Sequence, residues 1–186
     1  MRTHVLHREQ RLDGTPEEVF PFFSDARNLE AITPPLLRFR VVTPGPLDVH
    51  AGTFLQYRLR LHGVPVTWHT IIQEWDPPHR FVDVQVRGPY ALWPHTHTFA
   101  ATGDHGTLMT DTVRYAIGFG PLGELAHRVL VRRDVEAIFA FRAQRVPELL
   151  RGVRGARGVR GGGALAGGAD RVEAVEDEVR PGEVAG

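Results

Sequence analysis

The chain has 186 residues, of which 42% are hydrophobic, and it carries 22 basic and 22 acidic residues. This length is sufficient for one domain with an apolar core. The balanced charge argues against nucleic acid or an anionic membrane as a dominant partner. The absence of cysteine excludes disulfides, thiolate catalysis and cysteine-ligated metal. There is no signal-peptide core and no apolar run of membrane-spanning length, so we expect a soluble, cytoplasmic protein.

The N-terminal part predicts one strand followed by two short helices. Residues 3–12 have the pattern of a strand. Residues 15–18, Thr-Pro-Glu-Glu, are a helix start, because Thr caps, Pro takes the first helical position and Glu follows three residues after the cap. A second short helix is expected to be capped by Ser24 or Asp25 and to end before Pro34-Pro35.

From residue 36 to about residue 117 the apolar residues recur with the period of two that is typical of strands. His62-Gly63 is a two-residue turn signal between two such strands. The simple register of this hairpin pairs Tyr57 with Trp68. Both aromatic side chains are then expected on the buried face of the sheet.

The most unusual stretch is RFVDVQVRGPYALWPHTHTF, residues 80–99. A hairpin that turns near Gly88-Pro89-Tyr90 and pairs Gln85 with His97 gathers polar side chains on one face. Because three valines compete for the core from the other face, the polar face is either the wall of a wet cavity or the outside of the sheet. We favour the cavity, since Trp68 also faces inward. The polar face would hold Asp83, Gln85, Arg87, His95, His97 and Phe99.

The last strand, Thr107–Ile117, leaves two registers open. Asp111 lies in an alternating set with Met109, Val113 and Tyr115, which is expected to face inward. A strict two-residue turn would instead place Thr110 beside Phe99. A bulge at Gly106 would bring Asp111 back to the face of the histidines.

The C-terminal part predicts one long helix and a tail. Residues 122–150 have a helical pattern, with Leu125, Val129, Val135 and further apolar residues near one face, and Pro147 is expected to kink or restart the last turn. Residues 151–186 begin with an Arg-Gly repeat and continue as an acidic segment. This composition predicts a disordered tail, without the interleaved aromatic residues that favour RNA binding.

These elements predict an α+β fold in which a long C-terminal helix covers a curved antiparallel sheet. The chain also resembles the SRPBCC superfamily, which includes START-type lipid carriers and polyketide cyclase-like proteins. The resemblance covers roughly residues 3–150. It rests on the Thr-Pro-Glu-Glu-Val-Phe helix start, Asn28-Leu29-Glu30 with Thr33-Pro34-Pro35, Asp76-Pro77-Pro78, and most specifically FVDVQ…GPY…W.HTHTF.

The resemblance implies a helix-grip domain over residues 1–150, in which a curved seven-stranded antiparallel sheet wraps around the C-terminal helix. Two short helices lie between the first and second strands. A cavity between sheet and helix is expected to bind a hydrophobic or amphipathic molecule, but the shared fold does not imply a reaction. The predicted ligand-binding residues are Tyr57, Trp68, Asp83, Gln85, Tyr90, Trp93, His95, His97, Phe99, Asp111 and Tyr115.

Several interpretations of His95 and His97 are open. They can be structural strand histidines held by Asp83 or Asp111, or a polar patch that orients a hydroxyl or carbonyl group of a ligand. Metal ligation and acid–base catalysis by His97 with Asp111 are further alternatives. Tyr90 and Trp93 are expected at the rim of the cavity. Arg142 either crosses the cavity floor to a carboxylate such as Asp83 or lies over the sheet at the helix edge.

We therefore predict a non-catalytic protein that binds a small hydrophobic or amphipathic molecule. The alternative is an enzyme resembling polyketide cyclases or dehydratases, with His95, His97 and Asp111 as acid–base groups. A third hypothesis is an interaction module whose interior is filled by its own side chains. No cofactor, metal, nucleic-acid partner or membrane insertion is expected, and the sequence leaves the oligomeric state open.

Overall fold

The computed structural model describes residues 2–45 and 47–161 of the chain. The alternating segments form one sheet of seven antiparallel strands in the order β1-β7-β6-β5-β4-β3-β2. This confirms the predicted seven-stranded α+β architecture. The strands are β1 (Thr3–Asp13), β2 (Arg40–Val41), β3 (Phe54–Leu61), β4 (Val64–Asp76), β5 (Arg80–Arg87), β6 (Pro94–Thr102) and β7 (Gly106–Ala116).

Two short helices follow β1, as predicted. Helix α1 spans Pro16–Ser24, and its capping box is formed because the Glu18 carboxylate accepts a hydrogen bond of 3.1 Å from the backbone N–H of Thr15. Asp25 accepts a hydrogen bond from the backbone N–H of Arg27, as a cap does, but helix α2 itself comprises only Asn28–Ala31. A 3₁₀ turn at Pro35–Leu37 ends this segment.

The hairpin of β3 and β4 has the predicted register. Tyr57 pairs with Trp68, and Leu61 pairs with Val64. His62 and Gly63 form the two-residue connection with φ values of 50° and 83°. Two successive positive φ values are typical of the turns whose twist matches that of antiparallel strands.

The predicted pairing of Gln85 with His97 is wrong by four residues, because Asp83 pairs with His95 and Phe81 with His97. The connection between β5 and β6, residues 88–93, is longer than a Gly-Pro-Tyr turn. A shift of four residues is even, so Asp83, His95 and His97 keep their predicted face, whereas Arg87, at the end of β5, is exposed.

The register of β7 brings Asp111 to the face of the histidines. Phe99 pairs with Met109 and His97 with Asp111. The connecting turn contains three residues, 103–105, and its last residue, His105, has a φ of 57°. A three-residue turn that ends in a left-handed residue therefore gives this register, in place of the strict two-residue turn or the bulge at Gly106.

The C-terminal helical region consists of three consecutive segments. Helix α3 spans Gly120–Ala126, a π-helical turn spans His127–Val131, and helix α4 spans Arg132–Gly161. Helix α4 continues through Pro147. None of the helices that the structure describes is both long and apolar enough to span a bilayer.

The prediction that Leu125 and Val129 share the buried face with Val135 is wrong. Val129 is 69% exposed and Leu125 is exposed, whereas Val135 is 1% exposed. The wider π-helical turn lies between the two segments and interrupts the phase of the α-helical apolar stripe. Only the stripe on α4 therefore faces the sheet.

Helix α4 continues eleven residues past the predicted end at residue 150, to Gly161. Residues 162–186 lie outside the described residues, so the division into a domain and a disordered tail stays a prediction.

Candidate functional site

A cavity of about 150 Å³ lies between the concave face of the sheet and α4. Its lining is mainly apolar and is contributed by the end of α1, by β3 to β6 and by α4. All three tryptophans of the chain, Trp68, Trp75 and Trp93, contribute to it. Burial of these aromatic side chains on one side of the sheet gives the interior its hydrophobic character.

An aromatic cluster forms one part of the lining. The ring centroids of Trp68 and Trp93 are 5.2 Å apart, and those of Tyr90 and Trp93 are 4.3 Å apart. Gln85 holds this loop in place, because its side-chain amide donates to the carbonyl of Tyr90 at 2.7 Å and accepts from the backbone N–H of Tyr90 at 3.4 Å. A Cβ atom at Gly88 would lie 2.3 Å from Oε1 of Gln85, so any larger residue there would force the Gln85 side chain to shift.

The polar wall of the site is a cluster of two carboxylates and two imidazoles on three neighbouring strands. His95 and His97 are two residues apart on β6 and therefore share a face. Cross-strand pairing places Asp83 of β5 opposite His95 and Asp111 of β7 opposite His97. The four side chains lie together because each of them falls on the same face of the sheet, on three neighbouring strands.

Each histidine of the cluster contacts both carboxylates. Nε2 of His95 donates to Oδ1 of Asp111 at 2.9 Å, and Nε2 of His97 donates to Oδ2 of Asp83 at 3.0 Å. Nδ1 of His95 lies 3.5 Å from Oδ2 of Asp83. Nδ1 of His97 lies 2.8 Å from Oδ1 of Asp111 but is not aligned for a hydrogen bond, so this contact is an ion pair rather than a hydrogen bond. The ring of Phe81 stacks on His97 with a centroid distance of 4.0 Å.

The pKa values of the two histidines in the cluster are shifted in opposite directions. Burial alone would raise the pKa of Asp83 and of Asp111, but the hydrogen bonds and charges of the histidines hold both below the usual range. Burial and the charge of His97 lower the pKa of His95. Burial also acts against the charged form of His97, but its contacts with both carboxylates outweigh this and raise its pKa. We infer one imidazolium, on His97, between two carboxylates.

Arg142 of α4 supplies a second positive charge to the cavity wall. Its guanidinium carbon lies 4.9 Å from the ring centroid of Phe139, and its charge contributes to lowering the pKa of Asp83. Nε of Arg142 is buried, and no described residue accepts a hydrogen bond from it. With His97 protonated, the two cations balance the two carboxylates of the wall.

Seven of the eleven predicted site residues line the cavity. These are Tyr57, Trp68, Asp83, Tyr90, Trp93, His95 and His97. Burial, assisted by the charge of Asp83, raises the pKa of Tyr57 above its usual value, so its phenol stays neutral. That these seven residues contact a ligand stays a prediction.

The other four predicted residues have positions behind or beside the cavity. Gln85 holds the loop, and Asp111 lies behind the two histidines. Phe99 packs in the core, with its ring centroid 5.3 Å from that of Phe20. The hydroxyl group of Tyr115 is 3.0 Å from Nε2 of His127.

Several lining residues were not predicted from the sequence. Phe81 lies two residues before Asp83 on β5, so alternation already places it on the same face. Ile138 and Phe139 belong to the predicted apolar face of the long helix. Thr70 is 2% exposed and accepts a hydrogen bond of 3.0 Å from the indole N–H of Trp68, a contact that no sequence pattern indicates.

The cluster also has donor atoms in a spacing that a metal ion can use. One donor atom each from Asp83, His95 and His97 lies within 4.8 Å of the other two. However, Nε2 of each histidine is already hydrogen-bonded to a carboxylate. A metal ion would therefore have to displace the contacts that hold the cluster together.

Residues 3–151 match the family described as polyketide cyclase / dehydrase and lipid transport, and the chain belongs to this family within the SRPBCC superfamily. No curated protein matches the chain.

Solved structures share the fold at low sequence identity. The Zhui aromatase/cyclase from Streptomyces sp. R1128 has a TM-score of 0.64 and 16% identity over 88% of this chain and 100% of its own. Norcoclaurine synthase from Thalictrum flavum, in complex with dopamine and hydroxybenzaldehyde, has a TM-score of 0.60 and 15% identity over 80% and 87% of the two chains. A protein from Thermus thermophilus has a TM-score of 0.54 and 22% identity, over 77% and 97%.

Proposed function

We propose that the protein binds a small, mainly apolar molecule with one hydrogen-bonding group in the cavity between the sheet and α4. The observation that carries this proposal is a cavity of about 150 Å³ that combines an apolar lining with one charged wall. An apolar cavity of about 150 Å³ accepts benzene. We therefore infer a ligand of about the size of one aromatic ring.

The polar group of the ligand is inferred from the unpaired donor on the cavity wall. An unpaired buried donor costs about 1–3 kcal/mol, and an oxygen atom of a ligand near Nε of Arg142 would offset this cost. The nearby carboxylate of Asp83 disfavours an anion, and the four charges of the wall already balance. A neutral carbonyl or hydroxyl oxygen is thus the best match.

The choice of probe follows from this match. In the norcoclaurine synthase complex the fold holds dopamine and hydroxybenzaldehyde, which are one-ring aromatic molecules. We therefore choose acetophenone, which carries a carbonyl group, and ethylbenzene, which has nearly the same shape without one. Intrinsic fluorescence reports binding, because all three tryptophans line the cavity.

The wild type is expected to bind acetophenone more tightly than ethylbenzene. A hydrogen bond to a charged group contributes about 1.5–3 kcal/mol, which corresponds to a preference of about tenfold or more. Arg142→Met should remove this preference while it retains the binding of ethylbenzene. Arg145→Met is the matched control, because Arg145 lies on the same helix but pairs with Glu148 at the surface.

Two outcomes would contradict the proposal. In the first, tryptophan fluorescence does not respond to either molecule, which would indicate an interior closed to ligands. In the second, Arg142→Met keeps the full preference for acetophenone, which would remove Arg142 from the binding site.

A second candidate function is a cyclase- or dehydratase-like reaction with His95, His97 and Asp111 as acid–base groups. The observation that favours it is His97, a cavity-lining imidazole whose pKa is raised by two carboxylates. A protonated imidazole can give a proton to a leaving hydroxyl group, and Asp83 is placed to accept one from a ligand. Asp111 does not line the cavity and would act by holding the histidines.

This candidate is tested with 4-hydroxy-4-phenyl-2-butanone, a one-ring β-hydroxy ketone. Loss of water gives a conjugated enone, which is followed by its ultraviolet absorbance. His97→Gln should slow the reaction by about 10²–10⁴-fold. A wild-type rate equal to that of buffer would contradict an enzymatic role and would leave the binding proposal intact.

A further inference from the structure

A second cluster of metal-ligating side chains lies away from the ligand cavity. His4 comes from β1, Glu124 from α3, and His127 is the first residue of the π-helical turn. One donor atom of each lies within 4.8 Å of the other two. Nε2 of His4 is 3.2 Å from Oε2 of Glu124, and the two imidazole rings stack with a centroid distance of 3.4 Å.

The fold brings these residues together from distant parts of the sequence. Thr3 pairs with Ala116, so the start of β1 lies beside the end of β7. The chain leaves β7 and enters α3 only a few residues later. Glu124 and His127 are three residues apart, which places them on one side of the helical segment over β1.

His127 has the arrangement of a metal ligand with one nitrogen in use and one free. Its side chain is buried, and its Nε2 lies 3.0 Å from the hydroxyl group of Tyr115. Its Nδ1 is buried and has no hydrogen-bond partner among the described residues. Metal-binding histidines usually donate their second ring N–H to another group, which here is the tyrosine hydroxyl.

Glu124 offers one carboxylate oxygen to the cluster. Its Oε1 lies 3.5 Å from Nη1 of Arg2 and 3.5 Å from Nε of Arg128, whereas Oε2 is turned to His4. Both arginines are largely exposed to solvent, which screens their repulsion of a cation.

We propose that His4, Glu124 and His127 bind a divalent transition metal ion, with Zn²⁺ as the best match. Two imidazoles and one carboxylate are a ligand set that zinc accepts in a tetrahedral geometry. A recess of about 230 Å³ adjoins His4 and Glu124 and leaves room for a water molecule as the fourth ligand. The ion would join β1 to the helical segment, so its binding is expected to raise the melting temperature.

The test is a titration of the full chain with Zn²⁺ by calorimetry and with Co²⁺ by visible absorption. The wild type should bind one equivalent at micromolar concentration and give the visible bands of tetrahedral Co²⁺. His4→Asn and Glu124→Gln remove partly exposed ligands, so they keep the fold and should each weaken binding by at least about tenfold. Tyr115→Phe, which removes the partner of the ligating histidine, should weaken it by about 10–100-fold.

Two control variants test whether Zn²⁺ binds at His4, Glu124 and His127 and not at another histidine. His62→Asn removes a histidine whose Nε2 lies 2.7 Å from Oδ2 of Asp134, a pair between the β3–β4 turn and α4 that belongs to no three-donor group among the described residues. His97→Gln removes a donor of the cavity cluster. Both variants should bind Zn²⁺ as the wild type does. The proposal is overturned if the wild type binds no Zn²⁺, if His4→Asn and Glu124→Gln bind it unchanged, or if His97→Gln alone abolishes binding.

Discussion

Asp111→Asn is the substitution that most directly perturbs the buried cluster. The carboxylate contacts Nε2 of His95 at 2.9 Å and Nδ1 of His97 at 2.8 Å, and its side chain is almost completely buried. Removing one partner of a buried ion pair costs about 3–5 kcal/mol, because the other charge stays buried. Asparagine keeps one acceptor oxygen, so we expect about 3 kcal/mol. For a chain of this length that corresponds to a melting temperature about 6–12 °C lower.

The loss should depend on pH in a defined direction. The folded-state pKa of Asp111 is lowered. Its contribution to the free energy of unfolding is therefore present above the unfolded-state pKa of about 3.9 and is lost as the pH falls through the folded-state pKa. Because the pKa of His97 is raised, its contribution is full below its unfolded value of about 6.5 and is lost as the pH rises through the folded value. The difference between wild type and variant is therefore greatest between about pH 4 and about pH 6.5, and it declines above that as the pH approaches the raised pKa of His97.

Chemical denaturation of both proteins from pH 3 to pH 9 measures this difference. Asp104→Asn is the matched control, because the Asp104 side chain is 69% exposed and its pKa is also lowered, first by the hydrogen bond from Thr102. A surface substitution of this kind should change stability by less than about 0.5 kcal/mol. If Asp111→Asn also changed stability by less than this, or if its effect did not vary with pH, the assignment of a charged, coupled cluster would be refuted.

Three further predictions concern the rest of the site and the helix that covers it. Val135→Ala should cost about 1–3 kcal/mol in denaturation experiments, whereas Val129→Ala should cost less than about 0.5 kcal/mol, because only the first residue faces the sheet; equal costs would contradict the described helix phase. In ¹⁵N NMR titrations of the imidazoles, His97 should titrate above and His95 below the ordinary histidine pKa, and the reverse order would contradict the proton assignment. Gly88→Ala places a Cβ 2.3 Å from the glutamine amide that holds the aromatic loop, and should lower the melting temperature by about 1–6 °C; an unchanged melting temperature would show that the amide moves away without cost.

The faces of the strands could be predicted from the sequence because alternation has a period of two. This is why Asp83, His95 and His97 were expected on one side, and why Tyr57 could be paired with Trp68 across a two-residue turn. A register shift by an even number of residues does not change which side chains of two paired strands share a face. The error of four residues between β5 and β6 therefore left Asp83, His95 and His97 on the same face.

The remaining features depend on contacts between distant residues. The length of the loop after β5 follows from the hydrogen bonds between Gln85 and Tyr90, which no local pattern indicates. The inward position of Asp111 depends on the left-handed conformation of His105, a residue that does not require one. The unpaired Nε of Arg142 exists only because α4 packs over the cavity, and the sequence had left open whether Arg142 crosses the cavity floor or lies at the helix edge.

The most direct test of the central claim is a crystal structure of the protein with acetophenone. Our account predicts the aromatic ring between Trp68 and α4 and the carbonyl oxygen within hydrogen-bonding distance of Nε of Arg142. An interior filled by the protein's own side chains would contradict it. Acetophenone bound only at the outer surface, with the cavity closed, would contradict it equally.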